Sequence, residues 1–218
     1  MILHIPHSST NTLGRNIEQF DIDYLTDHRT NELFNCELST KLVFPISRFV
    51  CDVERFPDDQ EEMFKIGQGI CYTKGTRDND ITVIDKEEIL KIYDKWHLDL
   101  IQLINQTLCY FHKVILVDCH SFPDNEGYPD FCIGTVEQTP TGLTDLVIHE
   151  LDGYEVSINY PYSGAILPSK FIDNPDVFPI MIEINKRLYL NSEEDFNKIK
   201  ELIHKVLTKI TEYEDSFG

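Results

Sequence analysis

The chain is poor in positive charge. Its 19 Lys and Arg face 38 Asp and Glu, for a formal net charge of −19. Without a basic footprint to neutralise phosphates, nucleic acid and anionic membrane are excluded as partners. Long apolar runs are missing too, since none approaches the roughly 20 residues that span a bilayer. The opening segment Met1-Ile2-Leu3-His4-Ile5-Pro6-His7 lacks the basic start and apolar stretch of a signal peptide. A cytoplasmic protein is the expectation. The six cysteines include no CxxC pair, which argues against a Cys-rich zinc site. Cys51, Cys119 and Cys132 lie in or beside apolar runs and read as small buried hydrophobes. There is no internal repeat, low-complexity tract or obvious linker. Neither a Walker phosphate loop nor a GxSxG nucleophile elbow occurs, and Gly67-Gln68-Gly69 alone makes no nucleotide site.

What is present is a foldable chain. Its 218 residues are 41% hydrophobic, enough for one α/β domain over 1–218 with a sizeable core. Ile2–Ile5 reads as a first strand, and residues 16–42 carry helix-like spacing. Ser47–Val53 is a β-branched, strand-like run. Residues 56–80, rich in Gly, Asp and charge, form a long excursion of the kind that often carries function. Over Asp85–Phe111, the residues Ile89, Ile92, Trp96, Leu100, Ile101 and Ile104 recur at helical spacing. Val114–Val117 is wholly apolar, as in a strand buried on both faces. Further strands are predicted near 131–135, 154–159 and 179–185. Ser192-Glu193-Glu194-Asp195 has the pattern of a helix start, and Ile199, Leu202, Ile203 and Val206 line a closing helix. Alternating strands and helices predict an α/β sandwich with a mostly parallel mixed central sheet flanked by helices.

Four segments share one form, an apolar strand ending in ionisable residues: Leu3–Ser8, Phe49–Arg55, Val114–Ser121 and Pro179–Arg187. Ligands of open α/β sheets bind beyond the carboxyl ends of the strands. Residues distant in sequence can therefore meet there. His120 follows the apolar run Val114–Val117 and has Asp118 nearby to orient it, as suits a zinc ligand. His7 follows Pro6 at the end of the first strand, while His4 lies within the strand and reads as packed. A catalytic zinc takes three protein ligands and a water. Asp27 is the candidate third ligand, with Glu32, Asp52 and Glu54 as rivals. Glu183, an acid within a hydrophobic run, suits a general base. Its bland alternative is a solvent-facing strand residue or an ion pair with Arg187. Arg55 can hold a carboxylate through two hydrogen bonds, or can simply pair with Glu54, Asp58 or Asp59. Tyr162 and Asn159, in the shaped loop Asn159–Ala165, complete the substrate-binding candidates with Arg187. Cys119 beside His120 does not make a thiol–imidazole pair, because adjacent strand residues point to opposite faces.

Together these segments resemble the N-formylglutamate amidohydrolase family. The resemblance runs from Ile5-Pro6-His7-Ser8 through Thr26-Asp27, Asp52-Val53-Glu54-Arg55-Phe56, Asp118-Cys119-His120-Ser121 and Asn159–Gly164 to Met181–Tyr189. It implies a fold like that of zinc carboxypeptidases and aspartoacylases. It also implies a zinc enzyme of histidine catabolism that splits N-formyl-L-glutamate into formate and glutamate. His7 and His120 match the metal-binding histidines, Glu183 the catalytic Glu, and Arg55 the arginine of an Asn-Arg pair that binds substrate carboxylate. Two departures stand out. Glu54 occupies the place of that Asn, where it would repel a second carboxylate, and Thr10 replaces the second ligand of the carboxypeptidase HxxE pair. The alternatives are a zinc carboxypeptidase or deacylase acting on another N-acyl amino acid or short peptide, and a binding module without catalysis. The expected partner is a small-molecule N-acyl amino acid. Oligomeric state is open at this level.

Overall fold

In the computed structural model, which describes residues 1–57, 61–82 and 85–216, the regular elements follow one another as β1 (Ile2–Ile5), α1 (Gln19–Leu25), α2 (Thr30–Leu33), β2 (Thr40–Val43), α3 (Lys86–Phe111), β3 (Val114–Phe122), β4 (Phe131–Gly134), α4 (Thr141–Glu150), β5 (Val156–Ile158), β6 (Val177–Asn185) and α5 (Glu193–Asp215). The chain divides into two units. The first comprises Met1–Ile5, Arg29–Leu42 and Leu103–Gly218, and the second Pro6–His28 and Val43–Gln102.

The first unit carries a six-stranded sheet in the order β2-β1-β3-β6-β4-β5. β3 pairs in parallel with β1 and β6, β5 in parallel with β4, and β4 runs antiparallel to β6. The sheet is thus mostly parallel and mixed, as the alternation of elements predicts. All nine residues of β3 are buried, which requires cover on both faces. Period-2 alternation splits them. Ile115, Val117 and Cys119 join the main core, where Leu143, Val147 and Leu151 from the α4 segment and Ile199, Ile203 and Ile210 of α5 pack against them. Each fully buried aliphatic side chain of this kind contributes about 1.5–3 kcal/mol. Asp118 and His120 lie on the opposite face.

The second unit has a smaller core of Ile17, Phe49, Tyr72 and Ile81, with Ile22 and Leu25 packed against it. Phe49 and Tyr72 meet edge to face at 5.3 Å. The Arg15 guanidinium ties the unit's loops by donating to the carbonyls of Thr82 (2.7 Å), Tyr72 (2.9 Å) and Phe49.

Several sequence expectations need correction. Ser47–Val53 is not a strand: the Ser47 carbonyl accepts from the amides of both Val50 and Cys51 (2.9 and 3.2 Å). That local pairing uses the groups a sheet ladder would need. The β-branched composition reflects burial instead, since Phe49, Val50, Cys51 and Val53 are fully enclosed. Residues 16–42 hold two short helices and then the edge strand β2. The excursion 56–80 contains a 3-10 turn at Glu62–Ile66 and bridges at Gln68–Tyr72 and Lys74–Asp80. β3 runs five residues past Val117, so His120 stands inside the strand rather than beyond it. The predicted strands near 131–135, 154–159 and 179–185 appear as β4, β5 and β6, and the long predicted helix as α3. No described helix is long and apolar enough to cross a membrane.

α5 begins as its sequence predicts, with Ser192 Oγ accepting from the Asp195 amide at 3.1 Å. Ser192→Ala is expected to lower unfolding free energy by about 1 kcal/mol, a loss readable by urea denaturation.

Candidate active site

In the first unit the site is built on the β1–β3–β6 face. His4 is the register partner of Asp118, and His120 that of Glu183. In a parallel pair such partners project from the same face, so His4, Asp118, His120 and Glu183 share one side of the sheet. Asp118 Oδ1 accepts from His4 Nδ1 at 2.8 Å and from His120 Nε2 at 3.1 Å, and Oδ2 accepts from the Ile166 amide at 2.9 Å. Burial alone would raise the Asp118 pKa. The His120 and His4 rings more than offset it and hold the carboxyl well below the ordinary range. An ionised carboxylate only accepts, so both rings carry their proton on the nitrogen facing Asp118. Glu183 is buried, 7% exposed, inside β6.

The second unit repeats this arrangement around Asp52. His7 follows β1 by two residues and donates from Nε2 to Asp52 Oδ1 at 2.8 Å. Asp52 Oδ2 accepts from Arg48 Nη2 (2.8 Å) and from the Tyr72 hydroxyl (2.9 Å). Burial would raise the Asp52 pKa, but Arg48 and then His7 outweigh it and hold it well below the usual carboxylate range. His7 Nδ1 faces Asp27 Oδ2 at 3.8 Å and Glu54 Oε2 at 3.7 Å.

An imidazole oriented by a buried carboxylate, with further carboxylates opposite its other nitrogen, is a donor set that suits zinc. His–carboxylate groups whose donor atoms lie close enough to hold a metal ion include His7 with Glu54 and His4 with Asp118. Nitrogen and oxygen donors with no thiolate match a catalytic rather than a Cys-rich centre.

The family model for N-formylglutamate amidohydrolase matches residues 1–190. The chain belongs to the N-formylglutamate amidohydrolase family. A search of curated proteins found no match. Among solved structures, an N-formylglutamate amidohydrolase from Ralstonia eutropha JMP134 superposes with a TM-score of 0.83 at 20% identity, covering 100% of this chain and 94% of that one. A gene product of Agrobacterium tumefaciens gives 0.67 at 21% identity, covering 97% and 91%. At these identities the likeness shows the fold.

Asp27 and Glu54 both face His7, whereas Asp52 is committed to its other nitrogen. The remaining rival, Glu32, pairs with Arg29 at 3.2 Å on an exposed surface. Arg55 Nε lies 3.7 Å from Asp52 Oδ2, a carboxylate outside the expected set of Glu54, Asp58 and Asp59, of which the last two lie outside the described residues. Arg187 binds Asp124 (2.7 Å), Asp130 (2.9 Å) and the Tyr128 carbonyl (3.2 Å). Asn159, at a positive φ of 55°, shapes its loop: its Oδ1 accepts from the amides of Thr135 (2.8 Å) and Gly164 (3.2 Å). Tyr162 is 38% exposed, its carbonyl accepting from Cys132 Sγ at 3.2 Å.

Sequence reasoning missed Arg48 and Tyr72, and took His4 as merely packed. His4 is buried but hydrogen-bonded. The Arg48–Asp52 spacing of four residues was the one available signal for that pair.

Removing the Asp52 charge strands Arg48 in the interior. Asp52→Asn is expected to destabilise by about 3–5 kcal/mol, measured by chemical denaturation. Because the folded pKa lies below the unfolded value of about 3.9, the stabilisation is complete above it. It disappears as pH falls through the folded value. The variant should therefore show a shallower acid-side loss of stability than the wild type.

Proposed function

We propose that this family member is a zinc-dependent hydrolase of the amide bond in a small N-acyl amino acid, acting as one catalytic domain over 1–218 with the zinc-carboxypeptidase type of fold. N-formyl-L-glutamate, giving formate and L-glutamate, is the substrate the family's name indicates, and its hydrolysis would belong to histidine catabolism in the cytoplasm. The observation that carries this reading is the cross-strand pair His120–Glu183, which puts a metal-type histidine and a buried acid side by side on one sheet face.

His7 and His120 would hold the zinc, with Asp27 as third ligand and Glu54 its rival. Bound there, the metal would lower the pKa of a water toward 7 and polarise the amide carbonyl. Asp52 and Asp118 keep the two imidazoles in the ligating tautomer and orientation. Glu183 accepts the proton of the attacking water on its carboxylate and returns it to the departing nitrogen. Arg55 holds the substrate carboxylate, and Tyr162 or Arg55 supplies a hydrogen bond to the developing oxyanion. Asn159 and Arg187 support the loops that present these groups.

Two measurements test the reading. Glu183→Gln should keep its zinc and lose about 10²–10⁴-fold in kcat; wild-type turnover would remove Glu183 from the mechanism. His120→Ala should lose bound zinc on elemental analysis, and undiminished content would exclude it as a ligand. A wild-type protein that holds zinc yet is inert towards N-formyl, N-acetyl and dipeptide substrates would favour a non-catalytic binding module.

A further inference from the structure

The sheet face that carries His120 and Glu183 changes character along β1. Leu3 and Ile5 belong to the main core, so Ile2 and His4 lie on the other face of the sheet. Ile2 is fully buried beside its register partner Leu116, and His4, also fully buried, stands beside Asp118. A leucine at position 4 would extend the apolar pairing of Ile2 with Leu116 and carry no desolvation penalty. An imidazole so enclosed is tolerated only when its polar atoms are bonded. His4 commits Nδ1 to Asp118 Oδ1, at 2.8 Å.

Asp118 has a cross-strand neighbour on each side. On the β6 side it is Met181, whose thioether has no proton to donate. His4 on β1 is therefore the lateral donor. The other bonds to this carboxylate come from His120, two residues along the same strand (3.1 Å), and from the Ile166 amide (2.9 Å). His120 cannot fix the group that orients it, and Ile166 holds only Oδ2. The oxygen that meets His120 is Oδ1, the one that His4 pins. A carboxylate behind a metal-ligating histidine orients it only as well as it is itself held. The tolerance is narrow, roughly 0.5 Å or 10–20°. His4, Asp118, His120 and Glu183 all belong to the first unit.

Resting on the zinc hydrolase reading above, we propose that His4 is a positioning residue: its imidazole locks the Asp118 carboxylate and so holds the His120 ring in its metal-ligating orientation beside Glu183.

The metal-free protein is titrated with zinc against a competing chelator, and its histidine rings are followed by nitrogen NMR after isotope labelling. His4→Leu removes the donor and keeps an apolar side chain of moderate size. His4→Asn loses volume but retains an amide N–H that can donate to Asp118. The zinc Kd should rise about 10–100-fold in His4→Leu and stay close to wild type in His4→Asn. In the metal-free protein the His120 Nε2–H signal should be sharp in wild type and His4→Asn and broadened in His4→Leu. Thermal melting checks folding, and His4→Val, which suits a buried strand, takes the place of His4→Leu if that variant does not fold. Wild-type zinc affinity in the folded donor-less variant overturns the proposal. An equal loss in folded His4→Asn also overturns it, because packing rather than donation would then be responsible. If the wild type itself binds no zinc, the hydrolase reading falls and the NMR signal decides: broadening confined to the donor-less variant sustains the positioning role, and an unchanged signal sinks it.

Discussion

A single buried carboxylate, Asp118, holds together the candidate site residues of the first unit. Its two oxygens bind three elements at once: His4 on β1, His120 within β3, and the backbone of the 159–166 loop at Ile166. A carboxylate so enclosed is tolerated only because donors surround it. Each of those donors is fixed in return. The imidazole tautomers, the position of the ring opposite Glu183 and the anchoring of the tyrosine loop all follow from where that charge sits.

Asp52 plays the same part in the second unit. It collects His7, Arg48 and Tyr72, and the other ring nitrogen of His7 is turned toward Asp27 and Glu54. Each unit thus uses one buried acid to orient imidazole rings, His4 and His120 in the first and His7 in the second. The large acidic excess of the chain is, at these two points, neutralised locally and turned to positioning.

The contrast between legible and illegible features has physical causes. α3, the core strand starting at Val114, β4, β6 and the α5 cap were readable because period and capping are local properties. Ser47–Val53 was misread because an apolar β-branched run signals burial, and burial without a ladder partner looks the same in sequence. The length of β3 was underestimated because the run turns ionisable at Asp118. Those polar residues stay in the strand through hydrogen bonds to His4 and Ile166, which lie 114 and 48 residues away. Arg48 and Tyr72 escaped notice for the same reason: nothing in their own neighbourhood announces a shared acceptor.

From the sequence alone came the α/β class, the residue types able to carry hydrolytic chemistry, and, through the order of short motifs, the resemblance to the N-formylglutamate amidohydrolase family. Tertiary structure decided which of those residues face one another. It set His120 against Glu183 by strand register, gave His4 and His120 a common carboxylate, separated Asp27 and Glu54 from Asp52 on opposite nitrogens of His7, and committed Arg187 to Asp124 and Asp130. Composition and spacing specify what a chain can bury. Which buried groups share a proton or a counter-charge depends on distances between strands and loops that are remote in sequence.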